Sequence, residues 1–86
     1  MKYSIHETIE QSYFKYGIEV SGMLNFHRAR QWFTKTYGFS TNVSHDRPIE
    51  NQHWAYHIVY KTYVFYVQDE EELAWFKLKY GQAELI

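Results

Sequence analysis

The sequence predicts a single α+β domain, spanning residues 1–86, in which one antiparallel sheet carries two helices on the same face. Three observations support this fold class. Two stretches show the apolar spacing of helices, and each is followed by a glycine. Three further stretches have the alternation or the composition of strands. No linker rich in Gly, Ser or Pro divides the chain, and 86 residues supply one hydrophobic core.

Composition and charge exclude several classes of protein. Aromatic residues make up 21% of the chain, whereas disordered segments contain few of them. The formal net charge of −1 is untypical of a polybasic nucleic-acid tail and of an acidic DNA mimic. The absence of cysteine excludes disulfides, a thiolate nucleophile and Cys-ligated zinc. Because there is no long apolar run and no signal-peptide pattern, we expect a cytoplasmic protein with no membrane partner.

The first 12 residues are compatible with two structures. Ile5, Ile9 and Tyr13 repeat every four residues, as on one face of a helix. Tyr3 and Ile5 alternate with polar residues, as in a strand, and we slightly favour a short strand or an irregular segment. The next stretch, 13–21, alternates aromatic or β-branched residues with polar residues or glycine and is predicted to be a half-buried strand.

A helix is predicted over residues 25–37. Asn25 is a favourable N-cap residue, and Gly38 suits the left-handed position that follows a helix. Its apolar face consists of Phe26, Ala29, Phe33 and Tyr37, with Trp32 at the edge.

Residues 39–68 contain the remaining strand signals. Residues 39–45 alternate weakly and are predicted to form a short, possibly edge, strand, and the Pro and Asn content of residues 45–52 predicts a loop. Residues 53–68 are rich in β-branched and aromatic side chains, but this stretch is much longer than a typical strand of about 5–6 residues. It forms either one long strand or two strands that meet near residues 61–62, where no Gly or Asn marks a turn.

The last helix is predicted over residues 69–80, ending at Gly81. Asp69 and Glu72 have the spacing of a capping box, three glutamates occupy the positive end of the helix dipole, and two lysines occupy the negative end. Residues 83–86 are available as a short final strand. The order β-α-β-β-α is that of the split βαβ, ferredoxin-like fold, which leaves one face of the sheet open.

Motifs for catalysis are absent, so we predict no catalytic residue, no cofactor, no metal site and no enzyme activity. His53 and His57 are separated by four residues, but in a strand this spacing places them roughly 13 Å apart, too far to share one ion. No serine lies in a GxSxG turn, and no glycines fall in a GxGxxG or GxxxxGK pattern.

The stretch 61–67 resembles the RNP1 strand of RNA-recognition motifs, in which Lys61, Tyr63 and Phe65 match by position. The small residues that the pattern expects between them are absent. The resemblance implies that Tyr63 and Phe65 stack nucleobases on the open sheet face. On this alternative hypothesis, a single-stranded nucleic acid contacts Arg28, Arg30, Lys35, Lys61, Tyr63 and Phe65.

The C-terminal half shows a second resemblance. An aromatic strand over 63–68, acids at 69–72 and an A-x-F-K-L-x-x-G helix over 74–81 are similar to the ending of small uncharacterised tailed-phage proteins. The resemblance implies an accessory protein in the host cytoplasm that binds or inhibits a host or phage macromolecule.

The leading hypothesis is therefore a small binding module that recognises a protein through exposed aromatic side chains. A homodimer or a higher oligomer is also predicted, because an open sheet face would keep large aromatics whichever set of residues 53–68 points outward. The expected partner-binding residues are Trp32, Trp54, Tyr56, Tyr63 and Phe65.

Overall fold

A computed structural model describes residues 1–8, 13–42 and 50–81, and its elements confirm the predicted α+β class. Within these residues there are four strands and two helices. They are β1 (Tyr3–Glu7), β2 (Tyr16–Val20), α1 (Met23–Tyr37), β3 (Trp54–Val59), β4 (Thr62–Val67) and α2 (Glu70–Tyr80).

The four strands form one sheet in the order β1-β2-β4-β3, and all neighbouring strands are antiparallel. Strand β4 lies between β2 and β3, which α1 connects, so the predicted split βαβ arrangement is present. The first 12 residues contribute β1, so the order along the chain is β-β-α-β-β-α. Strand β1 occupies the edge beside β2, the position that a final strand holds in the ferredoxin-like order. The predicted strand over 83–86 lies outside the described residues.

Residues 53–68 contain two strands rather than one. Val59 pairs with Thr62, and the two residues between them, Tyr60 and Lys61, have φ angles of 48° and 64°. Two consecutive left-handed residues are typical of the type I′ turn, which matches the twist of a two-residue hairpin. The sequence gives no signal for this turn, because neither residue is one of the Gly, Asn or Asp that usually adopt this conformation.

The strand predicted over 39–45 is not present in residues 39–42, the part of it that the structure describes. Residues 39–42 contain one isolated bridge, between Asn42 and Tyr56, and the backbone N–H of Tyr56 donates to the Thr41 carbonyl at 3.4 Å. This short contact lies along the outer edge of β3. The rest of the predicted strand and most of the predicted loop lie outside the described residues.

Helix α1 begins three residues earlier than predicted, because its N-cap residue is Gly22 and not Asn25. Gly22 has a φ angle of 89°, which an L-amino acid adopts at a cost, so backbone freedom fixes where this helix starts. The Asn25 amide instead donates a hydrogen bond back to the Ser21 carbonyl, at 2.9 Å. The predicted end is confirmed, since the N–H of Gly38 donates to the Thr34 carbonyl.

Helix α2 confirms the predicted capping box. The backbone N–H of Glu71 donates to Asp69 at 2.8 Å, and the backbone N–H of Asp69 donates to Glu72 at 3.0 Å. Gly81 ends the helix through a hydrogen bond from its N–H to the Lys77 carbonyl.

The main core lies between the helices and one face of the sheet, and it is largely aromatic. Phe33 of α1 stacks on Trp54, Phe65 and Phe76, with ring centroids 4.9–5.7 Å apart. Through the Phe33 side chain, this packing joins both helices to the edge strand β3 and to the central strand β4. The buried members of this core are Tyr3, Ile18, Val20, Phe26, Ala29, Phe33, Trp54, Tyr63, Phe65, Val67, Leu73 and Phe76.

Candidate binding surface

The aromatic platform expected on the open sheet face is absent, because its residues point into the core. Tyr63 is 8% exposed and Phe65 is fully buried, and both rings stack on Phe26 of α1. The two-residue turn between β3 and β4 sets this register: it pairs Ile58 with Tyr63 and Tyr56 with Phe65, and all four face the helices. The prediction that Tyr63 and Phe65 are exposed for bases or a protein partner is therefore wrong.

The sheet face opposite the helices has its own small core. Phe14, which precedes β2, folds over this face and stacks on Tyr66 at 6.5 Å, next to Ala55 and Val64. Tyr66 is the one large aromatic that the four described strands place on this face, and it is 4% exposed. The expected exposed aromatic patch is thus not present. The homodimer itself stays a prediction, but this face no longer supports it.

All four histidines in the described part of the chain have defined partners or neighbours, and the His27 ring lies 5.6 Å from that of Phe26. His53 Nδ1 lies 2.8 Å from the buried carboxylate of Glu72, and His57 Nδ1 lies 3.2 Å from Asn42 Oδ1. The His6 ring lies over Gly17, where an added Cβ would approach its Nε2 to 2.7 Å. No group of three His, Cys, Asp or Glu within residues 1–8, 13–42 and 50–81 could hold a metal ion.

The other aromatic residues that were predicted to bind a partner are Trp54, which is in the core, and Tyr56 and Trp32, which are half-buried. Trp54 is fully buried, and its indole N–H donates to the Gly38 carbonyl at 2.9 Å, so the prediction that it binds a partner is also wrong. Tyr56 is half-buried, and the Arg30 guanidinium lies 4.6 Å from its ring centroid in a cation–π contact. Trp32 is half-buried between the helices.

A groove between α1 and α2 is the feature that brings predicted site residues together. Its cavity volume is about 330 Å³. The half-buried rings of Trp32 and Tyr80, 6.2 Å apart, contribute its aromatic part. The Tyr80 hydroxyl donates to the Arg28 carbonyl at 3.3 Å, which fixes the end of α2 against α1. The full lining is Arg28, Gln31, Trp32, Lys35, Lys79 and Tyr80.

The charge of this groove is entirely positive. Arg28, Lys35 and Lys79 are exposed, and no Asp or Glu lines the cavity. Burial raises the pKa of the Tyr80 hydroxyl, and the positive charge of Arg28 opposes that shift. Tyr80 is therefore neutral at physiological pH and leaves the cationic character of the groove unchanged.

A second concavity of about 470 Å³ lies beside the groove along α1 and shares two of its residues, Gln31 and Lys35. Its other lining residues are His27, Arg30 and Thr34. Of the cations predicted to contact a nucleic acid, Arg28, Arg30 and Lys35 are thus collected on one helix, whereas Lys61 lies in the β3–β4 turn. We call the exposed side of α1 and α2, with both concavities, the helical face.

Sequence reasoning misses Lys79, Tyr80 and Gln31 as members of this surface. Lys79 and Tyr80 approach Arg28 only because α1 and α2 pack together, and Tyr80 is 52 positions from Arg28 in the sequence. Gln31 lies one turn from Arg28 on α1 itself. The positions of Arg28, Gln31 and Lys35, at i, i+3 and i+7 on α1, are the one local signal that could have identified this side of the helix.

Comparison of the chain with protein-family models, with curated proteins and with solved structures finds no match. Neither helix in the described part of the chain is long and apolar enough to span a membrane.

Proposed function

We propose that this chain is a small, non-enzymatic binding module that attaches to an acidic surface of another protein through its helical face. The observation that carries the proposal is the groove between α1 and α2. It combines three exposed cations with two aromatic rings and has no acidic residue in its lining.

Charge segregation supports an acidic partner. The whole chain has a formal net charge of −1, yet α1 contains two arginines and a lysine and no Asp or Glu. The seven acids of the described part lie outside α1 and the groove, and four of them are at the start of α2. A positive surface on a nearly neutral protein steers an acidic partner towards it and disfavours basic ones.

Exposed apolar side chains on α2 support a protein partner. Trp75 lies one turn before Lys79 on α2 and is 52% exposed, and Leu78 is 77% exposed. Tryptophan and arginine are enriched among residues that contribute most to protein–protein binding. A surface that combines them offers apolar burial as well as charge, as the centre of a protein interface does.

Single-stranded nucleic acid is the weaker candidate, because the stacking residues that it requires, Tyr63 and Phe65, belong to the core. The resemblance of the C-terminal half to small tailed-phage proteins is compatible with an accessory protein that acts by binding a host or phage protein. No step of this function requires a cofactor.

The test is affinity capture from a bacterial lysate, with and without nuclease, by three forms of the protein. The wild type is compared with Arg28→Glu/Lys35→Glu, which reverses two charges of the groove. The matched control is Lys2→Glu/Lys61→Glu, which reverses two exposed charges outside the groove and changes the net charge equally. Captured proteins are identified by mass spectrometry, and their binding is then measured with purified components.

We expect a protein that is retained by the wild type and by the control, resists nuclease and is lost with the groove variant. Equal loss with both variants would show non-specific attraction and would contradict the proposal. Capture that disappears on nuclease treatment, with a steep dependence on salt, would favour the nucleic-acid alternative.

A further inference from the structure

The groove between α1 and α2 runs along two antiparallel helices. At one end, the Tyr80 hydroxyl at the end of α2 donates to the Arg28 carbonyl near the start of α1. At the other end, Glu72 at the start of α2 and Tyr37 at the end of α1 both contact His53. Because the contacts run in opposite order along the two helices, the groove follows both helix axes.

The cations of the groove lie on both of its walls. Arg28 and Lys35 are two turns apart on α1, which is about 10 Å along its axis, and Lys79 is on α2. The half-buried rings of Trp32 and Tyr80 meet across the groove, with centroids 6.2 Å apart. A guest in the groove therefore meets apolar surface along its centre and positive charge on either side.

Trp75 extends the apolar centre of the groove along α2. It lies four residues before Lys79, so the two side chains share one side of the helix. Its ring is 52% exposed, whereas the neighbouring ring of Phe76 is fully buried. The exposed part of Trp75 is apolar surface beside the cations that a partner can cover.

The α1 wall of the groove offers a guest side chains and no free backbone groups. Its residues lie inside the helix, where each N–H donates to the carbonyl four residues earlier, up to the bond from Gly38 to Thr34. An extended segment would leave the N–H and C=O groups that it turns towards this wall without partners. A helix satisfies its backbone groups internally, so the groove favours a helical guest.

We infer that the groove binds an acidic amphipathic helix of a partner protein, which packs as a third helix against α1 and α2. This inference rests on the proposed function and names the segment of the partner that the helical face recognises. A stripe of apolar side chains on the guest covers the aromatic rings of the groove and Trp75. Acidic side chains on both sides of that stripe pair with Arg28 and Lys35 on α1 and with Lys79 on α2.

The spacing of the α1 residues matches the repeat of such a guest. Arg28, Gln31 and Lys35 occupy positions i, i+3 and i+7 on one side of α1. Acids at i and i+7 of a second helix repeat over the same distance, so they pair with both cations at once. The guest sequence should therefore place both its acids and its apolar residues with the period of a helix.

The first test selects binders from a displayed library of random peptides of about 18 residues, enough for about five turns of helix. The full-length protein is the target, and peptides that also bind Arg28→Glu/Lys35→Glu are discarded. We expect the selected sequences to carry acids and apolar residues at i, i+3 or i+4, and i+7. A synthesised peptide from this set should gain helical circular dichroism on binding, because isolated helices of this length are marginal in water. Selected peptides that alternate as strands do, or that lack acids, would overturn the inference, and so would the absence of any binder.

The second test asks whether the α2 wall takes part, using charge variants that the selection does not involve. Lys79→Glu and Lys77→Glu alter the charge at the end of α2 equally, but Lys77 lies outside the lining of the groove. The Kd of the selected peptide, measured by fluorescence anisotropy, should rise on the order of 10-fold for Lys79→Glu and stay close to the wild-type value for Lys77→Glu. Equal effects of the two variants would contradict the inference.

A matched pair of aromatic variants tests the apolar centre in the same assay. Trp75→Ala should raise the Kd of the peptide on the order of 10-fold. Tyr60→Ala removes a more exposed ring, in the turn between β3 and β4, and should leave the Kd unchanged. An unchanged Kd for Trp75→Ala would place the peptide elsewhere and overturn the inference.

Competition with the protein captured from the lysate separates this inference from the proposed function. The selected peptide should displace a captured protein whose retention requires Arg28 and Lys35. If the peptide fails to displace it, the helical guest is wrong while the proposed function stands. If no captured protein depends on these two cations, the proposed function itself fails, whatever the peptides show.

Discussion

Helices α1 and α2 pack on the same sheet, but their ends and exposed surfaces differ. α2 begins with a complete capping box, has three glutamates in its first turn and has two lysines in its last. These charges complement the dipole of the helix that carries them. α1 begins at a glycine without a side-chain cap and has no acid in its first turn. Its two arginines lie in the middle of the helix, where their charges interact only weakly with the helix dipole.

This difference indicates that the two helices serve different purposes. The acidic first turn of α2 stabilises the fold locally, so no ligand is needed to explain it. The arginines of α1 contribute little to the helix dipole. Arg30 packs over the Tyr56 ring, whereas the exposed Arg28 lines the groove, and its position is explained better by a partner. Substitutions in the core should destabilise both helices equally, whereas substitutions at the helix ends should distinguish them.

The largest effect is expected in the core, to which each helix contributes a fully buried phenylalanine. Phe33→Ala and Phe76→Ala should each lower the free energy of unfolding by about 3–5 kcal/mol, because both rings are fully buried. Since the rings stack 5.7 Å apart, the double variant should cost less than the sum. Urea denaturation measures all three, and a cost below about 1 kcal/mol at either position would contradict the assigned core.

The start of α1 should be sensitive to backbone conformation alone. Gly22 has a φ angle of 89°, and an added Cβ would meet no atom within 4 Å, so Gly22→Ala introduces strain without a clash. We expect a loss of about 1–3 kcal/mol, measured by the same denaturation. Gly17→Ala is the contrasting case, because there the added methyl group meets the His6 ring. An unchanged stability for Gly22→Ala would mean that α1 starts elsewhere.

The start of α2 should depend instead on a side chain and on pH. Asp69→Ala should lower Tm by roughly 5 °C at neutral pH. The hydrogen bond with Glu72 and that from the Glu71 backbone lower the pKa of Asp69. A lowered folded-state pKa contributes stability above the unfolded value of about 3.9, and this contribution is lost as pH falls through the folded-state value. The Tm difference between wild type and Asp69→Ala should therefore shrink below about pH 4, and a pH-independent difference would contradict this account.

The smallest effect is expected where the end of α1 approaches the start of α2. The buried hydroxyl of Tyr37 has no hydrogen-bond partner in the described part of the chain, so Tyr37→Phe removes an unsatisfied polar group and should raise stability by about 1 kcal/mol at pH 7. Burial, followed by the charges of Glu72, Glu71 and Asp69, raises the pKa of Tyr37 to about 12.

This raised pKa gives Tyr37→Phe a second readout at high pH. A raised folded-state pKa stabilises the fold below the unfolded value of about 10, and that contribution is lost as pH rises towards 12. Tyr37→Phe should remove this part of the alkaline loss, while absorbance at 295 nm should show one fewer late-titrating phenol. Identical alkaline profiles for the two proteins would show that Tyr37 titrates normally.

The features that were predicted from the sequence are local ones. The capping box of Asp69 and Glu72 and the glycine ends of both helices depend on residues within one or two turns of each other. The turn at Tyr60 and Lys61 was not predictable, because its residues do not favour the backbone that the hairpin imposes on them. Without that turn, the side of the sheet on which Tyr63 and Phe65 lie could not be predicted either, because a register shift of one residue moves every side chain of a strand to the opposite face.

The candidate surface was predictable only in part, for a related reason. The cations of α1 were identified, because they share one helix. Their combination with Lys79 and Tyr80 depends on how α2 packs, and the loss of the open-face platform depends on Phe14 folding over Tyr66. Contacts between distant parts of the chain decided both outcomes.

The position of β2 also has a consequence for the order of events during synthesis on the ribosome. β2 pairs with β1 close by in the chain, but its other neighbour, β4, brings Phe65 opposite Ile18 only after most of the chain has been made. The hairpin of β1 and β2 therefore emerges with an apolar side uncovered, and Phe76, which completes the core, emerges later still. Native-like closure of the core must then wait for release of α2, so an arrested nascent chain lacking that helix should stay susceptible to protease and bind chaperones that recognise apolar segments.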